Sequence, residues 1–277
     1  MRPLIFAMPA LAASALLTLG CGGVKPTGTT TTPASPYTFS GDWGAQFISA
    51  SNPASVPIIE FLGSLSASNG MVTGGFIPIP SSGTSACLTP SLTPIPVSGT
   101  VDSRGDLTLM LPVAGGTATL TATLATNVEA YAAGSYKIVG GTCAMPSTAM
   151  QIAQYAPLND TYAGTFNQLN SSGLPINGSA ITLTAMLAQS TTPNANGQFP
   201  VTGTIATTGV CTASITLTNA YVMGGLLFSE DTTFSYNLSA GFDPTGTTAQ
   251  VGLLIVENSS TACPYAHQIF EGTLTRQ

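Results

Sequence analysis

Hydrophobic and polar residues alternate along most of this chain with the period of two that a half-buried β-strand requires. In "SAITLTAMLAQ", Ile181, Leu183, Ala185 and Leu187 fall on one face and Thr182, Thr184 and Met186 on the other. "CTASITLTNAYVM" groups Ile215, Leu217, Tyr221 and Met223 against Thr216 and Thr218, and "GGTATLTATLA" repeats the alternation with Leu120 and Leu124. After residue 25 apolar residues do not recur at the three-four spacing of a helix over a helix's length. The segment "STAMQIAQYA" comes nearest, and it fits equally a strand carrying Met150, Ile152 and Tyr155.

Cut at their turn signals, these runs give eight strands in each half of the chain. The first set is expected near 39–48, 58–66, 71–78, 94–102, 106–112, 116–126, 133–140 and 149–156. The second is expected near 161–168, 179–189, 199–207, 212–222, 225–230, 232–240, 248–257 and 267–275. Short connections make successive strands antiparallel neighbours, and eight such strands lose their exposed edges by closing into a barrel. The expected fold is all-β, with two tandem antiparallel eight-stranded meander barrels. Two β-sandwiches are the alternative, suggested by the cysteine spacing. An immunoglobulin-type sandwich carries its tryptophan between its two cysteines, however, whereas Trp43 precedes Cys87.

The halves are related by a repeat. "DWGAQF" at 42–47 and "TYAGTF" at 161–166 each place an aromatic residue and a glycine ahead of a phenylalanine, 161 − 42 = 119 residues apart. Cys87 and Cys211 are 124 apart, and Cys143 and Cys263 are 120 apart. Four cysteines allow three connectivities. The economical one, within each repeat, is Cys87–Cys143 and Cys211–Cys263. In each half the pair follows the third and seventh strands, so a bridge would tie two connections at one barrel mouth and leave the opposite mouth as the entrance.

Composition narrows the setting. Only 6% of the 277 residues are charged, with 30 Gly, 20 Pro and 41 Thr, which suits an exported β-rich protein better than a cytoplasmic enzyme. The net charge is −6, and without residues 1–20 only Lys25, Arg104, Lys137 and Arg276 remain as cations, scattered along the chain. Nucleic acid is therefore excluded as an expected partner, because phosphate binding needs clustered Lys and Arg. In an oxidising compartment the paired cysteines would persist as disulfides.

At the N-terminus Arg2 precedes the apolar stretch Leu4–Leu19, which Pro9 interrupts and which is short for a membrane span. Thr18, Leu19, Gly20 and Cys21 then follow. This segment resembles a bacterial lipoprotein signal, whose cleavage box ends in a small residue and a cysteine. The resemblance implies removal of residues 1–20, lipidation of Cys21 and anchoring to a membrane. Residues 22–36, "GGVKPTGTTTTPASP", are expected to be a disordered tether leading to β domains at 37–157 and 158–277. Gly22 after the cysteine resembles the outer-membrane default of Gram-negative lipoproteins.

Gly41, Asp42 and Trp43 resemble the Gly-x-Trp strand that opens barrels of the calycin group, lipocalins and avidins. In that family an arginine near the last strand packs over the tryptophan. The C-terminal candidate here, Arg276, lies in the other half. The whole layout resembles uncharacterised envelope lipoproteins of Gram-negative soil bacteria, which implies a location and a fold more than an activity.

Catalytic and cofactor signals are sparse. No Gly-x-Ser-x-Gly elbow, phosphate loop or dinucleotide fingerprint occurs. His267 is the one histidine, read as structural, and no metal site is expected because no Cys-x-x-Cys spacing exists. Asp102 and Asp106 flank "SRG" and read as hairpin-turn residues rather than a glycosidase pair, and Glu230–Asp231 as a solvated turn rather than a calcium site. The expectation is a non-enzymatic, membrane-anchored envelope lipoprotein without cofactor. It would bind a small apolar ligand or an envelope protein through its barrels, and the Ala and Thr of the strands lean towards some interior space. A structural or adhesive spacer is the alternative, and an unrecognised enzyme the third reading.

Overall fold

The computed structural model describes residues 37–47, 59–80, 93–113, 115–125, 131–141, 144–230, 236–256, 263 and 267–277. The proposed signal, Cys21, the tether, Cys87, Cys143 and Asp231 lie outside them. No helix occurs among the described residues. The first eight strands are β1 (Phe39–Phe47), β2 (Ile59–Ser68), β3 (Met71–Pro80), β4 (Ile95–Val101), β5 (Asp106–Val113), β6 (Gly116–Thr123), β7 (Ala132–Gly140) and β8 (Met145–Tyr155). The second eight are β9 (Thr161–Leu169), β10 (Pro175–Gln189), β11 (Phe199–Gly209), β12 (Ala213–Met223), β13 (Leu226–Glu230), β14 (Tyr236–Phe242), β15 (Thr248–Val256) and β16 (Gln268–Arg276).

Each set is a closed antiparallel meander, β1 to β8 in one barrel and β9 to β16 in the other. The closing seams rule out the sandwich alternative. In the first barrel β1 pairs with β8, placing Ala45 opposite Ile152 and Phe47 opposite Met150. In the second, Phe270 of β16 stands opposite Gln168 of β9. Every strand thereby acquires two neighbours and no edge is left to pair with another chain.

Alternation decides which side chains fill the barrels. On β6, Ala118, Leu120 and Ala122 point inward, while Thr117, Thr121 and Thr123 stay exposed. The expected interior space does not follow, because the threonines belong to the outer faces and bulky rings occupy the inner ones. Trp43, Phe47, Phe61, Phe76 and Tyr136 are buried inside the first barrel, where Phe47 stacks on Tyr136 with ring centroids 3.7 Å apart. Tyr162, Phe166, Phe199, Phe242 and Phe270 do the same in the second. The repeat also holds in three dimensions: Trp43 and Tyr162 occupy matching places on β1 and β9, and both are fully buried.

Three strands depart from their expected form. β8 and β10 each begin four residues early, at Met145 and Pro175, and the β10 extension is exposed, with an irregular register between Pro175 and Ala180. The third departure is a bulge in β12. Val201 of β11 faces Ala220, yet Gly203 faces Leu217, so two residues of β12 oppose one of β11. One extra residue exchanges the two faces of everything beyond it. Ile215 and Leu217 point inward as expected, but past the bulge Ala220 and Val222 take the inner positions, and Tyr221 and Met223 are turned outward.

Candidate functional site

Among the described residues, the most heavily buried polar side chain on an outer face is the carboxylate of Asp42, and it lies where the second barrel meets the first. Alternation on β1 sends Trp43 into the barrel and Asp42 out of it. Cross-strand neighbours on that outer face include Ser64 of β2 and Tyr155 of β8. Asp42 is nevertheless only 2% exposed, because the β12–β13 turn covers it.

That turn is Gly224-Gly225, with φ of 59° and 75°. Two consecutive left-handed residues are what a tight two-residue hairpin of the mirror-image type demands, and glycine supplies them without steric cost. Its geometry leaves both N–H groups pointing away from the hairpin. Asp42 Oδ1 accepts the N–H of Gly224 at 2.5 Å and Oδ2 accepts that of Gly225 at 2.8 Å. A Cβ at Gly225 would run into the Tyr155 ring, and one at Gly224 into Leu62.

Apolar contacts surround this clip. Leu62 and Ile77 of the first barrel form a buried cluster with Met223 of the second, flanked by Ile79 and Leu226. Met223 reaches the cluster because the β12 bulge turned it outward. The inter-barrel connection adds a backbone bond, Ala156 N–H to the Pro244 carbonyl at 2.8 Å, and Leu158 N–H donates to Gln189 Oε1 at 2.9 Å. Tyr155 is 4% exposed, and its hydroxyl lies 3.3 Å from that of Tyr131.

Burial dominates the electrostatics. Desolvation pushes the Asp42 carboxyl up to about 7, against the downward pull of the backbone N–H groups of Gly225, Gly224 and Trp43. Burial raises Glu60 on the same outer face as well. The Tyr155 phenol is raised chiefly by burial, with Tyr131, Asp42 and Glu60 adding to it. With both oxygens held by backbone donors and no solvent path, Asp42 can bind a turn and take up a proton, but it cannot reach a substrate.

The residues singled out in the sequence fall elsewhere. Cys211 and Cys263 form a disulfide, spanning 52 residues and joining the β11–β12 and β15–β16 connections. It sits at one end of the second barrel, as the strand count requires. The opposite end, expected to be an entrance, carries the Gly224-Gly225 turn docked on the first barrel. Asp102 and Asp106 form a turn: Asp102 Oδ1 accepts N–H groups from Arg104 at 2.8 Å and Asp106 at 3.0 Å, and Arg104 Nη2 lies 3.1 Å from a carboxylate oxygen of each. Those N–H groups, Asp106 first, hold the Asp102 carboxyl below its ordinary range. His267 is exposed at a left-handed turn position before β16, φ 58°. Arg276 stands opposite Tyr162 and lies 3.6 Å from Asp160, in the second barrel as its place in the sequence implies. Among the described residues no three His, Cys, Asp or Glu side chains gather as a metal site.

In the sequence Asp42 reads only as the middle of a Gly-x-Trp strand, and Gly225 as the first residue of the strand expected at 225–230. A usable signal existed: a carboxylate at an outward strand position, in a chain with 6% charged residues, followed by Leu62 and Ile77 on outward positions of the neighbouring strands.

The fold defines the class: a tandem pair of closed, eight-stranded antiparallel β-barrels clasped through a buried carboxylate. The sequence matches no family model and no curated protein.

Proposed function

We propose that this chain is a lipid-anchored protein of a bacterial outer membrane that presents its two barrels as one stiff body to a partner beyond the membrane, without catalysis. The observation that carries this reading is the Asp42 clip. A carboxylate buried to 2% exposure and bonded to two N–H groups of the other barrel resists the swivelling that a bare linker would permit. The aromatic filling of both barrels favours outer surfaces over the lumen as the place of recognition, which moves the reading away from an enclosed apolar ligand. The lipoprotein-like box ending at Cys21, with the tether after it, supports the anchor. The test is a Cys21→Ser variant followed by membrane fractionation and intact-mass measurement. The wild type is expected in the membrane fraction carrying lipid mass, and the variant unmodified and released. A variant that is still processed and membrane-bound overturns the anchor.

A further inference from the structure

The β12 bulge that delivers Met223 to the junction also turns Tyr221 outward, two residues further from the Gly224-Gly225 turn. There Tyr221 stands opposite Phe228 of β13, and the ring centroids are 5.4 Å apart with a tilt of 31°. Ring pairs such as Phe47–Tyr136 and Tyr162–Phe242 are made of buried side chains inside the barrels, whereas this one is only half-buried on an outer face. It forms one wall of a groove of about 450 Å³, within the range of small-molecule sites.

Asn194, Asn219 and Asn237 bring amides to this groove, with Pro200 beside Tyr221 and the small residues Ala220 and Ser229. Asn194 is fixed in place: its Oδ1 accepts the N–H groups of Asn196 at 2.9 Å and Gln198 at 3.1 Å, and its Nδ2 donates to Gln198 Oε1 at 2.9 Å. None of the described lining residues carries a charge, and Glu230 stands between Asn219 and Asn237 in the strand register.

We infer that this groove is a binding site for a short segment of a neutral oligosaccharide. Phosphates and carboxylates lack a counter-charge among the described lining residues, and a purely apolar ligand would desolvate the amides of Asn219 and Asn237 without replacing their hydrogen bonds to water. A sugar ring presents the complement of the lining, with a C–H face to lie against an aromatic ring and hydroxyls that both donate to and accept from amides. The groove begins beside the inter-barrel contact, so docking of the first barrel steadies the β12–β13 hairpin that carries both rings. The inference does not depend on the lipid anchor.

The experiment is calorimetric titration of the purified full-length chain with maltohexaose, cellohexaose, chitohexaose and laminarihexaose, and with a proline-rich peptide as the protein-like competitor. At least one sugar is expected to bind, and Tyr221→Ala and Phe228→Ala are each expected to weaken it about tenfold, the scale of one lost stacking contact. Because truncation can loosen the hairpin, Tyr221→Leu and Phe228→Leu are measured alongside, with far-UV circular dichroism and melting checked. They keep apolar bulk without a ring and should show the same loss. No binding of any of the four sugars, sugar binding indifferent to the leucine variants, or binding of the peptide alone overturns the assignment.

Discussion

Asp42 of the first barrel accepts a hydrogen bond at 2.8 Å from the backbone N–H of Gly225 in the second, 183 residues further along the chain. With its twin at Gly224, this contact gives the junction a titratable group, and burial sets the sign of its pH dependence. The carboxyl rises from 3.8 when free to about 7 when docked, so the docked state holds its proton more tightly. Stability from this group is complete below about pH 4, declines as pH climbs towards 7, and is flat above. Glu60 is shifted in the same direction and Tyr155 titrates far above this window. Melting temperature should therefore fall between pH 4 and pH 7, and Asp42→Asn, which keeps one acceptor oxygen without charge, should flatten that slope. An unchanged slope in the variant removes Asp42 as its source.

Gly225→Ala should undo the clasp while sparing the barrels. The substitution places a Cβ in the Tyr155 ring and an alanine at φ 75°, together costing about 2 kcal/mol or more. Scanning calorimetry is expected to show one transition for the parent and two for the variant, one for each barrel. A single transition merely moved to lower temperature would mean that the barrels do not rely on this turn for their coupling.

Tyr162 offers an opposite kind of change. Its hydroxyl is buried on the first strand of the second barrel without a hydrogen-bond partner, as is the indole N–H of Trp43 at the matching place in the first. Tyr162→Phe removes an unpaired polar atom and keeps the ring, so stability should hold or rise by about 1 kcal/mol in urea denaturation. A loss of more than that would reveal a partner for the hydroxyl.

Removing the Cys211–Cys263 bridge as the double alanine variant should cost about 4 kcal/mol, the chain-entropy value for a loop closed over 52 residues. Urea unfolding with and without reductant measures it. The comparison of parent and variant without reductant isolates this bridge, and equal stability of the two would show it to be dispensable.

How much of this was legible depended on the distance over which each feature is determined. Strand positions such as Ile181, Leu183 and Ala185 follow from a period of two that needs no neighbour to be seen, and Cys211–Cys263 followed from the repeat. The sequence marks the β12 bulge only by the consecutive polar residues Thr218 and Asn219, which interrupt the alternation without saying whether a residue is inserted; the pairing with Val201 and Gly203 shows that one is. Plain alternation therefore groups Tyr221 and Met223 with Ile215 and Leu217, whereas the bulge turns both outward to the groove and the junction. Asp42 was hidden for a related reason: its partners are backbone atoms 182 and 183 residues away, and backbone donors leave no trace in the sequence. The inward aromatics show the limit of composition, since abundant threonine says nothing about the lumen until each face is known.

The ends of the second barrel are secured by unlike means. Its far connections are joined by the Cys211–Cys263 bond, while its near turns rest on Asp42 and on the Ala156–Pro244 contact. Unravelling should consequently have a direction chosen by the medium. A reductant frees the far rim first, and a rise in pH loosens the near one, so amide exchange would start from opposite poles of the same barrel under the two treatments.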